Sequence, residues 1–146
     1  MRSVELVDRE IDPGALVAAV RDPRFGAVSL FIGTVREVNG GRGVSAIDYS
    51  AYVAMAQDEM ERIVAEAADR FGVGAIAVEH RLGLLALGDV SVAIAAAHEH
   101  RTPALDATRF IIEQIKTRVP IWKHEHYADG DSEWVDPTRP TGVASA

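Results

Sequence analysis

Cysteine is absent from the chain. Disulfides, thiolate zinc sites, iron–sulfur clusters and a cysteine nucleophile are therefore excluded, and any sulfur the protein handles must arrive on another molecule. Apolar runs are short, far below the length needed to cross a bilayer. The opening residues, MRSVELVDREIDPG, lack the apolar core of a secretory leader and carry acids early, which predicts a cytoplasmic protein. Basic residues are outnumbered 15 to 22, for a net charge of −7. An anionic body disfavours non-specific binding to nucleic acid or to anionic membrane. Aromatic residues make up only 6% of the chain, so the tryptophan set among cations in IKTRVPIWKHEHY (Ile115 to Tyr127) stands out.

What is present is a chain of 146 residues, 48% of them hydrophobic, which is enough for one domain with a sizeable core. We expect that domain over residues 1–136 and a flexible, polar, proline-bearing tail over residues 137–146. Val4 to Val7 reads as a first strand. Asp12-Pro13 opens a short helix over Gly14 to Val20. Gly26 to Val35 reads as a buried strand. Asn39-Gly40-Gly41-Arg42-Gly43 reads as a mobile hairpin loop, and Val44 to Tyr52 as a strand exposed on one face. Met60, Ile63, Val64, Ala67 and Phe71 follow the helical period up to a stop at Gly72. Ala75 to His80 and Val90 to Ala97 are further strands, with turns at Gly83 and Gly88-Asp89. Thr102-Pro103 starts a third helix whose predicted inward stripe is Leu105, Thr108, Ile112, Ile115 and Val119. Pro120 ends it, and Ile121 to Tyr127 and Glu133 to Val135 are the last strands. Strands outnumber helices and are often joined too tightly for crossovers. That predicts an α+β fold with a largely antiparallel sheet and helices on one side.

The candidate chemistry is cationic. Lys116 falls in the last helical turn, where a cation suits the helix dipole, and Lys123 falls on the next strand. Taken singly, they read as a helix-end cation and a surface lysine. The Val119-Pro120 break reverses the chain between them, however, so helix end and strand start become neighbours, with Ile121 and Trp122 as an apolar wall. A lysine desolvated near other cations has a lowered pKa and serves as acid, base or nucleophile near neutrality. Arg36 ends one strand. His100 and Arg101 end another, just before a helix N-terminus; such positions hold anions, although a local acid such as Glu37 or Asp106 would serve each Arg as well. Two His-Glu-His triplets, 98–100 and 124–126, put imidazoles two apart on a strand face. Their short spacing and basic neighbours argue against a metal site.

Five segments, in order, resemble the large, catalytic subunit of molybdopterin synthase: GAVSLFIGTVRE (Gly26 to Glu37), IDYSAYVAMA (Ile47 to Ala56), VEHRLGLLALGD (Val78 to Asp89), His100-Arg101, and IKTRVPIWKHE (Ile115 to Glu125). SEWV, Ser132 to Val135, adds to the likeness. The resemblance implies an α/β hammerhead with a largely antiparallel sheet and helices packed on it. It implies a sulfurtransferase that moves sulfur from a small ubiquitin-like carrier, ending in a Gly-Gly thiocarboxylate, to cyclic pyranopterin monophosphate, forming the molybdopterin dithiolene. It implies a homodimer at the centre of a heterotetramer, and no cofactor or metal of its own. Lys116 and Lys123 match the family's two critical lysines, and Arg36, His100 and Arg101 its anion-binding positions. Ser50 stands where many relatives carry an acid, and Leu105 where an aromatic is common. Two other readings stay open on the residues alone: a dimeric module that binds a phosphorylated metabolite without catalysis, and a metal-dependent hydrolase built on the triplets.

Overall fold

A computed structural model describes residues 1–135. The tail expected over residues 137–146 lies outside the described residues. The chain forms two sheets. The first runs in the order β1 (Arg2–Val7), β5 (Ala75–Arg81), β7 (Val90–His98), β2 (Ala27–Thr34), with β1 and β5 parallel and the other pairs antiparallel. The second runs β3 (Val38–Asn39), β4 (Arg42–Ala51), β8 (Ile121–Tyr127), β9 (Ser132–Val135), with β6 (Gly83–Ala86) also paired to β4, all antiparallel. The α+β class and the largely antiparallel pairing follow the sequence reading.

The helices do not all lie on one side, as expected above. In β7 every residue from Ser91 to Ala97 is buried, with no alternation, which is the pattern of a strand covered on both faces. Ile76, Val78, Val92, Ile94 and Ala96 pack toward α2 (Val53–Phe71) and α3 (Arg101–Arg118). Ala75, Ala77, Ala93, Ala95 and Ala97 pack with Leu16 and Val20 of α1 (Pro13–Val20) on the opposite face. Alanines there let the short helix sit close. Asp12 caps it, its carboxylate accepting from the Gly14 N–H at 3.0 Å.

Two further expectations change. β2 was read as buried, but it is an edge strand, and Val28, Leu30 and Ile32 are 38%, 37% and 39% exposed. An apolar run looks the same whether its outer face is covered by this chain or left open. In α3 the buried stripe is Ala104, Ala107, Thr108, Ile111 and Ile115, while Leu105 is 57% exposed. The helix is capped at His100, two residues before the expected Thr102, and its tight contact with β2 selects small residues; the Ser29 and Thr108 hydroxyls meet there at 2.7 Å. α2 stops where expected, with Gly72 left-handed at φ 64°. At the far end of α3, Arg118 pairs with Glu59 and Glu66 of α2, both at 2.6 Å. This clamp fixes the helix end from which Lys116 projects.

Candidate active site

The two sheets and the last turns of α3 enclose a cavity of about 360 Å³. Phe31, Val92, Ile115, Val119 and Ile121 give it an apolar lining, and Arg36, Lys116 and Lys123 give it charge. The local sequence explains the convergence. α3 ends at Arg118, and the chain turns through Val119-Pro120 into β8 at Ile121. Strand alternation then sends Ile121, Lys123, Glu125 and Tyr127 inward, all of them buried, and leaves Trp122, His124 and His126 on the other face, half-buried. β4 lies antiparallel beside β8, with Tyr49 opposite Lys123.

Lys123 is 4% exposed, and its Nζ lies 3.2 Å from Oε1 of Glu125, itself 1% exposed. That oxygen also accepts from Asn39 Nδ2 at 2.7 Å. Oε2 accepts from the Tyr127 hydroxyl at 2.9 Å, and a Glu133 carboxylate oxygen lies 3.2 Å from the same hydroxyl. Asn39 in turn accepts from Arg36 Nη2 at 3.2 Å. Burial, together with the nearby Lys123 and Arg36, lowers the Lys116 pKa to about 8. Burial lowers that of Lys123 too, against the opposing pull of Glu125, and Arg36 lowers it further. Lys116 is thus close to switching its charge at neutral pH, while Lys123 is tied to a counter-ion.

His80, from β5, also lines the cavity. Burial holds it neutral, with a pKa lowered to about 4. Its Nδ1 lies 3.0 Å from the Arg81 carbonyl, a contact that needs the proton on Nδ1 and makes Nε2 the ring's acceptor. Tyr49 meets the same imidazole edge-on at 5.2 Å between ring centres.

Among the residues singled out from sequence, Lys116, Lys123 and Arg36 meet at the cavity. His100 and Arg101 do not. They are exposed at the N-terminal end of α3, about 22 Å along the helix from Lys116. Trp122 is not part of the cavity wall. It packs edge-on against Tyr52 at 5.1 Å on the outer side, and Ile121 alone of that pair faces inward. In the second triplet Glu125 points in and the histidines point out, with His124 stacked on Trp134 at 4.6 Å. Among the described residues, no three His, Asp or Glu side chains gather in a geometry that could hold a metal. Sequence reasoning missed His80, Tyr49, Glu125, Asn39 and Tyr127. The i, i+2 rule applied to Lys123 would have found Glu125; Asn39, from a distant hairpin, gave no local signal.

The arrangement suits an anion with an apolar body: it offers cations, apolar walls and one neutral acceptor. Known proteins point the same way. Residues 6–118 match the family model described as MoaE protein. The chain is 40% identical over 131 residues to the molybdopterin synthase catalytic subunit of Thermoplasma volcanium, spanning 90% of this chain and 96% of that one. It is 42% identical over 133 residues to the catalytic subunit of Synechococcus elongatus, spanning 90% of this chain and 81% of that one. The crystal structure of molybdopterin synthase from Staphylococcus aureus superposes with a TM-score of 0.84 at 34% identity, over 90% of this chain and 95% of that one.

Proposed function

The chain belongs to the MoaE family, the catalytic subunits of molybdopterin synthase, and we propose that it transfers sulfur at the cavity shared by Lys116, Lys123 and Arg36. The sulfur donor is the C-terminal thiocarboxylate of a small ubiquitin-like carrier, and the acceptor is cyclic pyranopterin monophosphate. Both are anions, and the protein as a whole carries a charge of −7. A local cluster of three cations lets such a body accept them.

Arg36 holds the substrate phosphate through its guanidinium fork. Lys116 meets the carrier terminus. It neutralises the incoming thiocarboxylate, whose sulfur attacks an oxygen-bearing side-chain carbon of the pterin; the carbon–oxygen bond there breaks as the carbon–sulfur bond forms, and the departing oxygen takes up a proton. Once that carbon–sulfur bond has formed, the carrier is joined to the substrate as a thioester. Lys116 then polarises the carrier carbonyl while water adds, so that the carrier leaves as a carboxylate and sulfur stays on the pterin. Lys123, fixed by Glu125, positions the substrate and moves protons at the carbons under attack. The observation that carries this reading is the meeting of Lys116, from a helix end, and Lys123, from a strand, in one largely buried cavity beside Arg36.

Within one chain His100 and Arg101 are too far away to share that phosphate. A second copy removes the difficulty. β2 is an open edge with exposed Val28, Leu30 and Ile32, and such edges pair readily. Ala27, at its start, lies opposite His98 and so beside the 100–101 corner; Gly33 and Thr34, at its end, line the cavity. Two β2 strands running antiparallel about a twofold axis bring the corner of one copy to the cavity of the other. We therefore propose a homodimer that completes each anion site, with one carrier per cavity, working in the cytoplasm. No helix among the described residues is long and apolar enough to cross a membrane.

Reconstitution with thiocarboxylated carrier and pyranopterin monophosphate tests the reading, with dithiolene product as the readout. Lys116→Ala and Lys123→Ala should each lower turnover by at least about 100-fold without losing the folded state by circular dichroism. A folded variant that keeps near-normal turnover rejects the assignment. A carrier lacking its last glycine should yield no product.

A further inference from the structure

The hairpin that joins β3 to β4 does more than connect strands. It reads Asn39-Gly40-Gly41-Arg42, and both glycines have positive φ, 58° and 82°. This is the backbone of a tight two-residue turn that matches strand twist. It sets Asn39 opposite Arg42. Both side chains then fasten to one face of β8. Asn39 donates to Glu125 at 2.7 Å, and the Arg42 guanidinium lies over the Tyr127 ring at 3.6 Å. Arg42 is in turn held by Asp129 at 3.0 Å.

We propose that Asn39 is a positioning residue that links the anion-binding Arg36 to Lys123 through the buried carboxylate of Glu125. The inference rests on the catalytic reading of Lys123 given above. The amide can sit only one way round: its carbonyl accepts from Arg36 and its NH2 donates to Glu125; a flip would put oxygen against oxygen and nitrogen against guanidinium. Glu125 Oε1 is therefore shared by the Asn39 amide and the Lys123 ammonium, while Oε2 is taken by Tyr127. Each donor a carboxylate accepts weakens its hold on the next. Asn39 and Tyr127 thus temper the pull of Glu125 on Lys123, and Asn39 also keeps Arg36 in register with it. The other charged or titratable groups at Lys123 are Lys116 from α3, Tyr49 from the neighbouring strand β4 and His80 of β5; Glu133 of β9 stands behind Tyr127.

Removing the Asn39 amide has two linked effects. Arg36 loses one hydrogen bond that braces it, so KM for the pyranopterin phosphate rises roughly fivefold, that bond's worth. Lys123 takes Oε1 alone, so its protonated form is favoured and the kinetic pKa it contributes moves up by roughly half to one unit. Asn39→Ala in the reconstituted synthase should show both changes, and Asn39→Gln, which keeps both polar ends, should recover part of each. Tyr127→Phe should move the pKa the same way without the rise in KM, because Arg36 keeps Asn39. A merely structural asparagine predicts a smaller active fraction with KM and pH profile unmoved. That result for Asn39→Ala, beside an inactive Lys123→Ala, overturns the link. A fully active Lys123→Ala overturns instead the catalytic reading on which the link depends.

Discussion

At the scale of single residues, the site is governed by how burial acts on charge. Lys116 and Lys123 sit in the same cavity, and Lys123 holds the Glu125 carboxylate at 3.2 Å. Lys116 is left with a pKa near 8, lowered by burial and by its cationic neighbours. It is charged below that pH and neutral above it. If its role is to neutralise the carrier terminus, kcat/KM for the thiocarboxylated carrier should fall as pH rises through about 8, since that ratio reports the free enzyme. Lys116→Arg stays charged throughout and should remove this basic limb, even if turnover drops because the fork fits the site less well. A limb that persists unchanged in Lys116→Arg belongs to another group. Glu125 makes the complementary case. Replacing it with alanine strands a buried ammonium, and a loss of about 3–5 kcal/mol in urea unfolding at neutral pH is expected. That loss should shrink as pH rises and Lys123 sheds its proton. The lysines were legible from the sequence because a proline break sits between them. Of their supporting partners, Glu125 stood two residues from Lys123, but Asn39 was out of reach, 86 positions from Glu125.

At the scale of elements, legibility followed residue size. Helix α2 was read correctly because large apolar residues, Met60, Ile63 and Val64, mark its buried face. Helix α3 was read only in part: Thr108, Ile115 and Val119 are buried as expected, but two further inward positions are alanines, Ala104 and Ala107 at 1% and 0% exposure. Attention to bulk picked Leu105 instead, which faces outward. The difference is measurable. Leu105→Lys should change stability by less than about 0.5 kcal/mol, as surface replacements do. Ala107→Leu should cost about 1–3 kcal/mol, because added methylenes meet a filled interface. Urea midpoints of the two variants check the pair, and the reverse order would restore the stripe inferred from sequence. The same reasoning explains why helices on both faces of the first sheet went unseen. Alanine-rich β5 and β7 hide their second buried face in residues that carry little hydrophobic signal.

At the scale of the whole molecule, the separation of His100 and Arg101 from the lysines becomes a statement about assembly. The edge of β2 carries the corner residues near one end and the cavity near the other. A charge placed mid-edge, as in Ile32→Lys or Leu30→Lys, should oppose pairing and convert the proposed dimer to monomer in sedimentation. Complementation between inactive copies is a sharper test. In the proposed dimer each cavity takes its lysines from one chain and its 100–101 corner from the other. Suppose Lys123→Ala and Arg101→Ala chains, each inactive alone, are unfolded together and refolded. Random pairing makes about half of the dimers mixed. In a mixed dimer one cavity carries both lesions and the other carries neither. About a quarter of all cavities should then be intact, and the mixture should recover about a quarter of wild-type turnover. If the corner instead served the cavity of its own chain, every cavity in the mixture would carry one lesion, and activity would not return.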